Sequence, residues 1–324
     1  MSAHLPELGV GNAANVALQG FCRAEPAILS AGRRLPFSGA FDLQGHSTNI
    51  VRRPGTNALT VELALDLNGG SGQVTGRVFT AQWDAALLGD HDVFDGRTSR
   101  APFATNYTLA VRGDSQAELR PGGDGFGTAR VDAGGTVSFV GTLSDGSKVT
   151  QKTAVSRNGN WPFYLALYGG KGSMLGWLTF EDRPTNDLSG KLSWIRPPSI
   201  TSTLYPAGFA FDTEVEGSVY TRPGTGRVLD LTNAVVVFTG GNLSAPITNP
   251  VMLGPDNKVT NEGSNRLVLT VVTPLGLIHG AVTPPEGANS LPFRGVLLQK
   301  QRSGAGFFLG TSQSGRLLLQ ARQP

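Results

Sequence analysis

This sequence contains little cysteine and no long apolar run. These two absences exclude disulfides within the chain, zinc sites built from cysteines and membrane-spanning helices. A single cysteine, Cys22, stands among 324 residues, so no disulfide can form within the chain and no cysteine cluster can hold zinc. The four histidines show no pairing at metal-ligand spacing. The longest apolar runs, such as residues 234–238, are far too short to cross a bilayer as a helix. Residues 1–30 lack a basic start followed by an apolar core, so we expect no signal peptide in this chain.

Charge is also sparse, and it is not arranged for nucleic acid. Charged residues make up 16% of the chain, against about 25% in ordinary soluble domains. The net charge is +3, and the basic residues are scattered singly apart from the pairs 33–34 and 52–53. A nucleic-acid binder would show a clustered basic stripe, so we expect no nucleic-acid partner.

The signatures of several enzyme classes are missing as well. The sequence contains no G-x-S-x-G elbow of a serine hydrolase and no dinucleotide fingerprint. The run Gly-Lys-Gly-Ser at residues 170–173 is not a phosphate loop, because that motif ends in Gly-Lys-Ser/Thr and opens a helix. No motif therefore requires a cofactor.

Glycine is what the chain has in excess, with 44 glycines and 20 prolines. Helical bundles are excluded, because each glycine inside a helix costs about 1 kcal/mol relative to alanine. Glycine does not recur at every third position, which excludes collagen. Because 39% of the residues are apolar, the chain should fold, and a turn-rich β protein remains.

Short runs that alternate apolar and polar residues predict antiparallel strands from residue 35 onward. Residues 59–67 and 148–155 are examples, and Asp-Gly at 145–146 and Asn-Gly at 158–159 supply hairpin turns. A Gly-x-Φ-x-Gly-x-Φ pattern (Φ apolar) recurs at 72–78 and 276–282. Glycines inside strands permit strong bending or a close approach of backbones, as narrow barrels require.

These patterns predict an all-β protein with two consecutive antiparallel barrel- or sandwich-like domains. Residues 35–115 would form the first domain and residues 116–324 a larger second one, with the boundary near the Gly- and Asp-rich stretch 113–122. Residues 1–34 are atypical and show no clear period, which leaves open whether the first domain is complete.

Three stretches carry a resemblance to a known group of proteins. They are the Trp-Pro-Phe-Tyr…Gly-Gly-Lys-Gly…Gly-Trp run at 158–180, the segment 188–197 and the Gly-rich end at 304–315. Together they resemble the C-terminal β-rich region of large secreted or surface proteins of environmental bacteria of the Verrucomicrobia type. The resemblance implies an extracellular or cell-envelope setting and a β fold, and it brings no activity and no catalytic residues.

An acidic cluster around residues 84–96 suggests two kinds of site. Alternating aspartates are typical of calcium loops, so Asp90, Asp92 and Asp95 are candidate calcium ligands, with a polar loop capped by Asx turns as the alternative. A glycosidase needs two facing carboxylates, for which Asp90, Asp92 and Glu181 are the candidates if the protein is a hydrolase.

Aromatic residues between 161 and 177 suggest a binding surface. Trp161, Tyr164, Tyr168 and Trp177 are candidate ligand contacts, because aromatic rings offer a large apolar area with a polar edge on which sugars stack. The alternative is that these rings close a barrel core and its rim. Alternation places residues 163, 165 and 167 on one face of the strand and 164, 166 and 168 on the other.

Three functions remain open at this point. The first is a non-catalytic extracellular or cell-surface module that binds a polymer, such as a polysaccharide, or supports adhesion. The second is a polysaccharide hydrolase with paired carboxylates. The third is a purely structural domain that presents other domains.

Overall fold

The computed structural model describes residues 2–4, 16–19, 27–30, 33–285 and 289–322, and these form three eight-stranded antiparallel sheets. In the described ranges no helix is long and apolar enough to cross a membrane. The all-β, barrel-like architecture expected from the alternating pattern is confirmed.

The first sheet has the strand order β4-β3-β2-β1-β8-β7-β6-β5. Its strands are β1 (Ser2–His4), β2 (Val16–Gln19), β3 (Ala27–Ser30), β4 (Arg33–Pro36), β5 (His46–Arg53), β6 (Thr56–Leu65), β7 (Gln73–Phe79) and β8 (Asp84–Asp90).

The second sheet repeats that topology, with the order β12-β11-β10-β9-β16-β15-β14-β13. Its strands are β9 (Asn106–Val111), β10 (Gly125–Val131), β11 (Thr136–Thr142), β12 (Lys148–Ala154), β13 (Asn160–Leu167), β14 (Gly172–Phe180), β15 (Leu188–Arg196) and β16 (Phe209–Val219), and a short 3₁₀ turn at Tyr168–Gly170 joins β13 to β14.

The third sheet follows the order β19-β18-β17-β24-β23-β22-β21-β20. Its strands are β17 (Asn233–Gly240), β18 (Ile247–Leu253), β19 (Val259–Asn261), β20 (Leu267–Val272), β21 (Leu277–Val282), β22 (Leu291–Leu298), β23 (Ser303–Leu309) and β24 (Ser314–Ala321).

Each sheet curls so that its first strand pairs with its last, and the ladder is interrupted at one seam. The second and third sheets are thereby nearly closed barrels. The first sheet curls in the same way, with β4 in contact with β5, and is called the first barrel below. In the second barrel the seam lies between β12 and β13, which contact each other. Gln151 bridges them: its Nε2 donates to the carbonyl oxygen of Pro162 (3.0 Å) and its Oε1 accepts from the indole N–H of Trp161 (2.9 Å). Pro162 has no N–H to donate, which suits a strand beside a seam.

Apolar side chains fill the three barrels in different ways. The first barrel holds aliphatic residues such as Leu59 and Val61. The second holds a cluster of rings around Trp161, which lies parallel to Phe180 with the ring centroids 5.7 Å apart. The third again contains phenylalanines, including Phe238. Among the described residues, the cluster of buried apolar side chains in the second barrel has more members than those of the other two.

Glycines inside strands allow the sheets to curve tightly. A Cβ added to Gly76 would clash with the carbonyl oxygen of Glu62 on the neighbouring strand, and one added to Gly280 would clash with that of Val268. Both glycines belong to the Gly-x-Φ-x-Gly-x-Φ repeats, so the expected close approach of backbones is confirmed.

The sheets divide the chain differently from the predicted domains. The first sheet ends at Asp90, and the second begins at Asn106, so the predicted boundary at 113–122 falls inside the second barrel, between the paired strands β9 and β10. The predicted second domain, 116–324, therefore contains parts of two barrels. The atypical segment 1–34 contributes β1, β2, β3 and the start of β4 to the first sheet.

The Gly-rich stretch is explained by contact with the third barrel. A Cβ on Gly123 would meet the carbonyl oxygen of Gly315 and the Cβ of Phe307, so this loop packs backbone against the third sheet. Its glycines mark an interface between barrels, where a domain boundary was predicted.

Asp124 is the polar centre of this interface. Its fully buried carboxylate accepts hydrogen bonds from Arg112 Nη1 (2.8 Å), the backbone N–H of Gly113 (2.8 Å) and Arg316 Nε (3.0 Å). A small apolar cluster, which includes Phe126 and Phe307, packs between the same two sheets. Buried charge is tolerated here because both oxygens are paired.

We expect Gly280→Ala to destabilise the protein by about 1–3 kcal/mol, because the new methyl group must displace a backbone carbonyl. Gly224→Ala is the matched control, since nothing lies within 4 Å of a Cβ there. Urea unfolding measures both variants. Equal midpoints would contradict the proposed role of strand glycines.

Asp124→Asn should lower the free energy of unfolding by about 2–4 kcal/mol, because two arginines lose their shared anion. The value lies below that of a fully buried pair, since the side chains of Arg112 and Arg316 are 31% and 32% exposed and water screens them. Asp256→Asn, at an exposed ion pair with Lys258, should leave the urea midpoint unchanged. If both variants behaved alike, the interface would not depend on this carboxylate.

Candidate functional site

Asp90 joins the first barrel to the second. It is the last residue of β8 and is 6% exposed. Its carboxylate accepts hydrogen bonds from Gln73 Nε2 (2.9 Å), on the same sheet, and from Asn160 Nδ2 (2.7 Å), at the start of β13. Both oxygens of the side chain are thus engaged with amides from two barrels, which is a structural arrangement.

The cleft beside Asp90 is too small for a sugar. Asp90, Asp92, Asn160 and Trp177 line it, so two predicted carboxylates and one predicted aromatic do meet. Its free space is about 10 Å³, which holds at most one water molecule. Asp92 also caps its own loop, where its Oδ1 accepts from the backbone N–H of Phe94 at 3.3 Å.

Glu181 does not complete a catalytic pair. It follows β14, does not line the Asp90 cleft, and its exposed carboxylate forms an ion pair with Arg183 Nη2 at 2.6 Å. The predicted constellation of Asp90, Asp92 and Glu181 is therefore corrected. The two aspartates share a cleft because β8 ends there, whereas Glu181 points to a different partner.

The predicted calcium ligands also face separate partners. The Asp95 carboxylate accepts from the backbone N–H groups of Arg97 (2.8 Å), Thr98 (2.8 Å) and Ser99 (3.0 Å), and these hydrogen bonds hold its pKa well below the usual range. This is the Asx-type turn named as the alternative. Over the residues that the structure describes, no group of three His, Cys, Asp or Glu side chains is arranged for a metal. Calcium binding stays a prediction.

Trp161 is not available to a ligand. Its side chain is fully buried in the second barrel, parallel to Phe180, and its N–H is used by Gln151. The prediction of a ligand contact is wrong at this position, because Trp161 shares the inward face of β13 with Phe163.

Tyr164 and Trp177 lie on the outer face of the second barrel, and both are half-buried. Strand β1 of the first sheet contacts β13 and β14, which carry them. The two rings thus belong to the surface where the first two barrels meet.

Tyr168 anchors the turn between β13 and β14. Its hydroxyl donates to Asp145 Oδ2 (2.6 Å) and accepts from the Trp194 indole N–H (3.0 Å), while Arg196 lies over the ring at 5.0 Å. Burial and the neighbouring Asp145 charge raise the pKa of the phenol. Its backbone has φ of 53°, a left-handed conformation that non-glycine residues adopt rarely. This network holds the strained residue in place.

This turn forms one wall of a groove that the sequence did not reveal. We name it the cationic groove, and it measures about 340 Å³, within the range of ligand sites. Its lining residues are Arg33, Leu35, Arg53, Pro54, Thr56, Gly169, Gly170 and Lys171.

The cationic groove was missed because its walls are distant in sequence. They come from β4, from the end of β5 and from the turn before β14. The available signals were the unexplained Gly-Gly-Lys-Gly run and the basic pairs at 33–34 and 52–53, which no local pattern links.

Comparisons with known proteins assign no family. No family model and no curated protein matches the chain. One solved structure that aligns with it is an endo-1,5-alpha-L-arabinanase from Thermotoga petrophila, at 9% identity and a TM-score of 0.24, over 95% of this chain and 80% of that one. A likeness at this score carries no argument about function.

The raised pKa of the Tyr168 phenol predicts that the protein loses stability in alkali. Its raised pKa means that above about pH 10 the unfolded chain releases a proton that the folded protein retains. Stability is then full below the unfolded pKa and falls as the pH rises. Burial likewise raises the pKa of Tyr107 to about 12. Melting temperatures between pH 8 and pH 11 should therefore decline less steeply in Tyr168→Phe, and less again when Tyr107→Phe is added. Parallel curves for all three proteins would contradict this assignment.

Proposed function

We propose that this protein is a non-catalytic module that binds a polysaccharide or another polymer in the cationic groove. The observation that carries the proposal is the groove itself, about 340 Å³ in volume and open to solvent along the junction of the first two barrels. An open groove can hold a segment of a long chain while the remainder extends into solvent. The resemblance of the sequence to bacterial surface proteins supports an extracellular or cell-envelope setting.

The burial and the hydrogen-bond partners of the predicted catalytic carboxylates favour binding over hydrolysis. A general acid or nucleophile must reach its substrate, within about 3 Å of the reacting atoms. Asp90 is buried and both of its carboxylate oxygens accept hydrogen bonds from amides, and Glu181 lies in an ion pair elsewhere. Glycoside hydrolysis by these residues is the less favoured alternative.

A structural role is a second candidate, favoured by the interface around Asp124. Buried charge pairing and an apolar cluster lock the second and third barrels together, which suits a rigid spacer that presents neighbouring domains.

The test combines binding and turnover with purified protein. We expect retention on at least one insoluble polysaccharide in pull-down assays, and no release of product from a panel of chromogenic glycosides and esters. Asp90→Asn should leave both results unchanged. Turnover that disappears in Asp90→Asn would replace the proposal with the hydrolase, and no retention on any polymer would favour the structural role.

A further inference from the structure

We propose that the cationic groove recognises the acidic groups of its ligand, so that the polymer is a polysaccharide bearing carboxylate or sulfate groups. This inference rests on the proposed function and names the chemical class of the ligand.

Three positive charges converge on the groove without compensation. Arg33, Arg53 and Lys171 line it, and no Asp or Glu is among its lining residues. Within the described ranges, none of the three forms an ion pair with a carboxylate, whereas arginines 77, 112, 120 and 196 each do. Charges of one sign in a concave site focus the potential and attract counter-charges.

Arg53 is also held in position. Its Nε donates to the carbonyl oxygen of Asn57 at 2.8 Å, across the β5–β6 hairpin. This bond fixes the guanidinium plane, and the two terminal nitrogens remain as donors that match a carboxylate or a sulfate.

The turn at the opposite wall is built for close approach. Tyr168, Gly169 and Gly170 have φ of 53°, 67° and 83°, three consecutive left-handed residues. A Cβ at Gly169 would meet nothing within 4 Å, so this residue of the groove lining is not crowded by its neighbours. Glycines carry no side chain, so a ligand can approach the backbone of this turn closely. Lys171 follows directly and adds a full charge.

Apolar residues in the same groove favour a sugar over a bare anion. Leu35 and Pro54 lie among the cations and offer surface to the C–H face of a pyranose ring, while Thr56 supplies a hydroxyl. The low net charge and the absence of a basic stripe disfavour a nucleic acid, which needs many contacts to phosphate.

The experiment is affinity electrophoresis, which measures how far the protein is retarded in gels containing polygalacturonate, dextran sulfate or neutral dextran, at low and high salt. We expect retardation by one or both acidic polymers and none by dextran, and the comparison of the two acidic polymers separates carboxylate from sulfate. Lys171→Gln and Arg53→Gln should each weaken the apparent affinity about five- to tenfold, which corresponds to the loss of one hydrogen bond of about 1.0–1.4 kcal/mol. Lys258→Gln is the matched control: it removes the same charge from an exposed turn of the third barrel, and it should bind like the unaltered protein.

Each contrary outcome has a definite meaning. If Lys258→Gln weakens binding as much as Lys171→Gln, net charge alone is responsible and the inference is overturned. If dextran retards the protein and the groove variants do not change this, the proposal of an acidic ligand is overturned, while the proposal of polymer binding stands. Tighter binding to a DNA oligonucleotide than to either acidic polysaccharide would also overturn it. Failure to bind any polymer would remove the proposed function, and melting temperatures with inorganic sulfate would then show whether Lys171 still marks an anion site.

Discussion

The close approach of neighbouring strands at glycine is the constraint on which this protein depends. Eight strands close into a narrow barrel only where the backbone of one strand can lie against the next. Gly76, Gly176 and Gly280 stand at such points in the three sheets, each facing a carbonyl oxygen of the adjacent strand. The tight curvature lets the first strand of each sheet pair with its last strand, and it places alternate side chains in a closed core. At the seam of the second barrel, Gln151 bridges the gap by pairing with the carbonyl oxygen of Pro162 and the indole N–H of Trp161.

The two junctions between barrels differ in how completely they are filled. The second and third barrels meet through a filled interface, where apolar side chains pack beside the buried Asp124 and its arginines. The first and second barrels meet through the Asp90–Asn160 hydrogen bond and through β1, and a groove with a different lining remains between the two barrels. That groove is the cationic groove, which shares no lining residue with the cleft beside Asp90.

The inward and outward faces of β13 were predictable, and one prediction failed by ignoring them. Alternation assigns residues 163, 165 and 167 to one face, and these are buried in the second barrel. Trp161 has the same parity, so the pattern that identified the strand also placed this ring in the core. Tyr168 could not be judged in this way, because it leaves the strand in a left-handed turn that is held by Asp145, a residue 23 positions away.

The sequence by itself determined the β structure, the hairpin turns and the need for glycine inside strands, because these follow from side chains that alternate along a few residues. Tertiary structure decided the number of barrels. Closure pairs β9 with β16, and no local pattern records a partner more than 100 residues distant. It also decided the site: Arg33, Arg53 and Lys171 lie in separate segments, and only the packing of one barrel against the next brings their charges together.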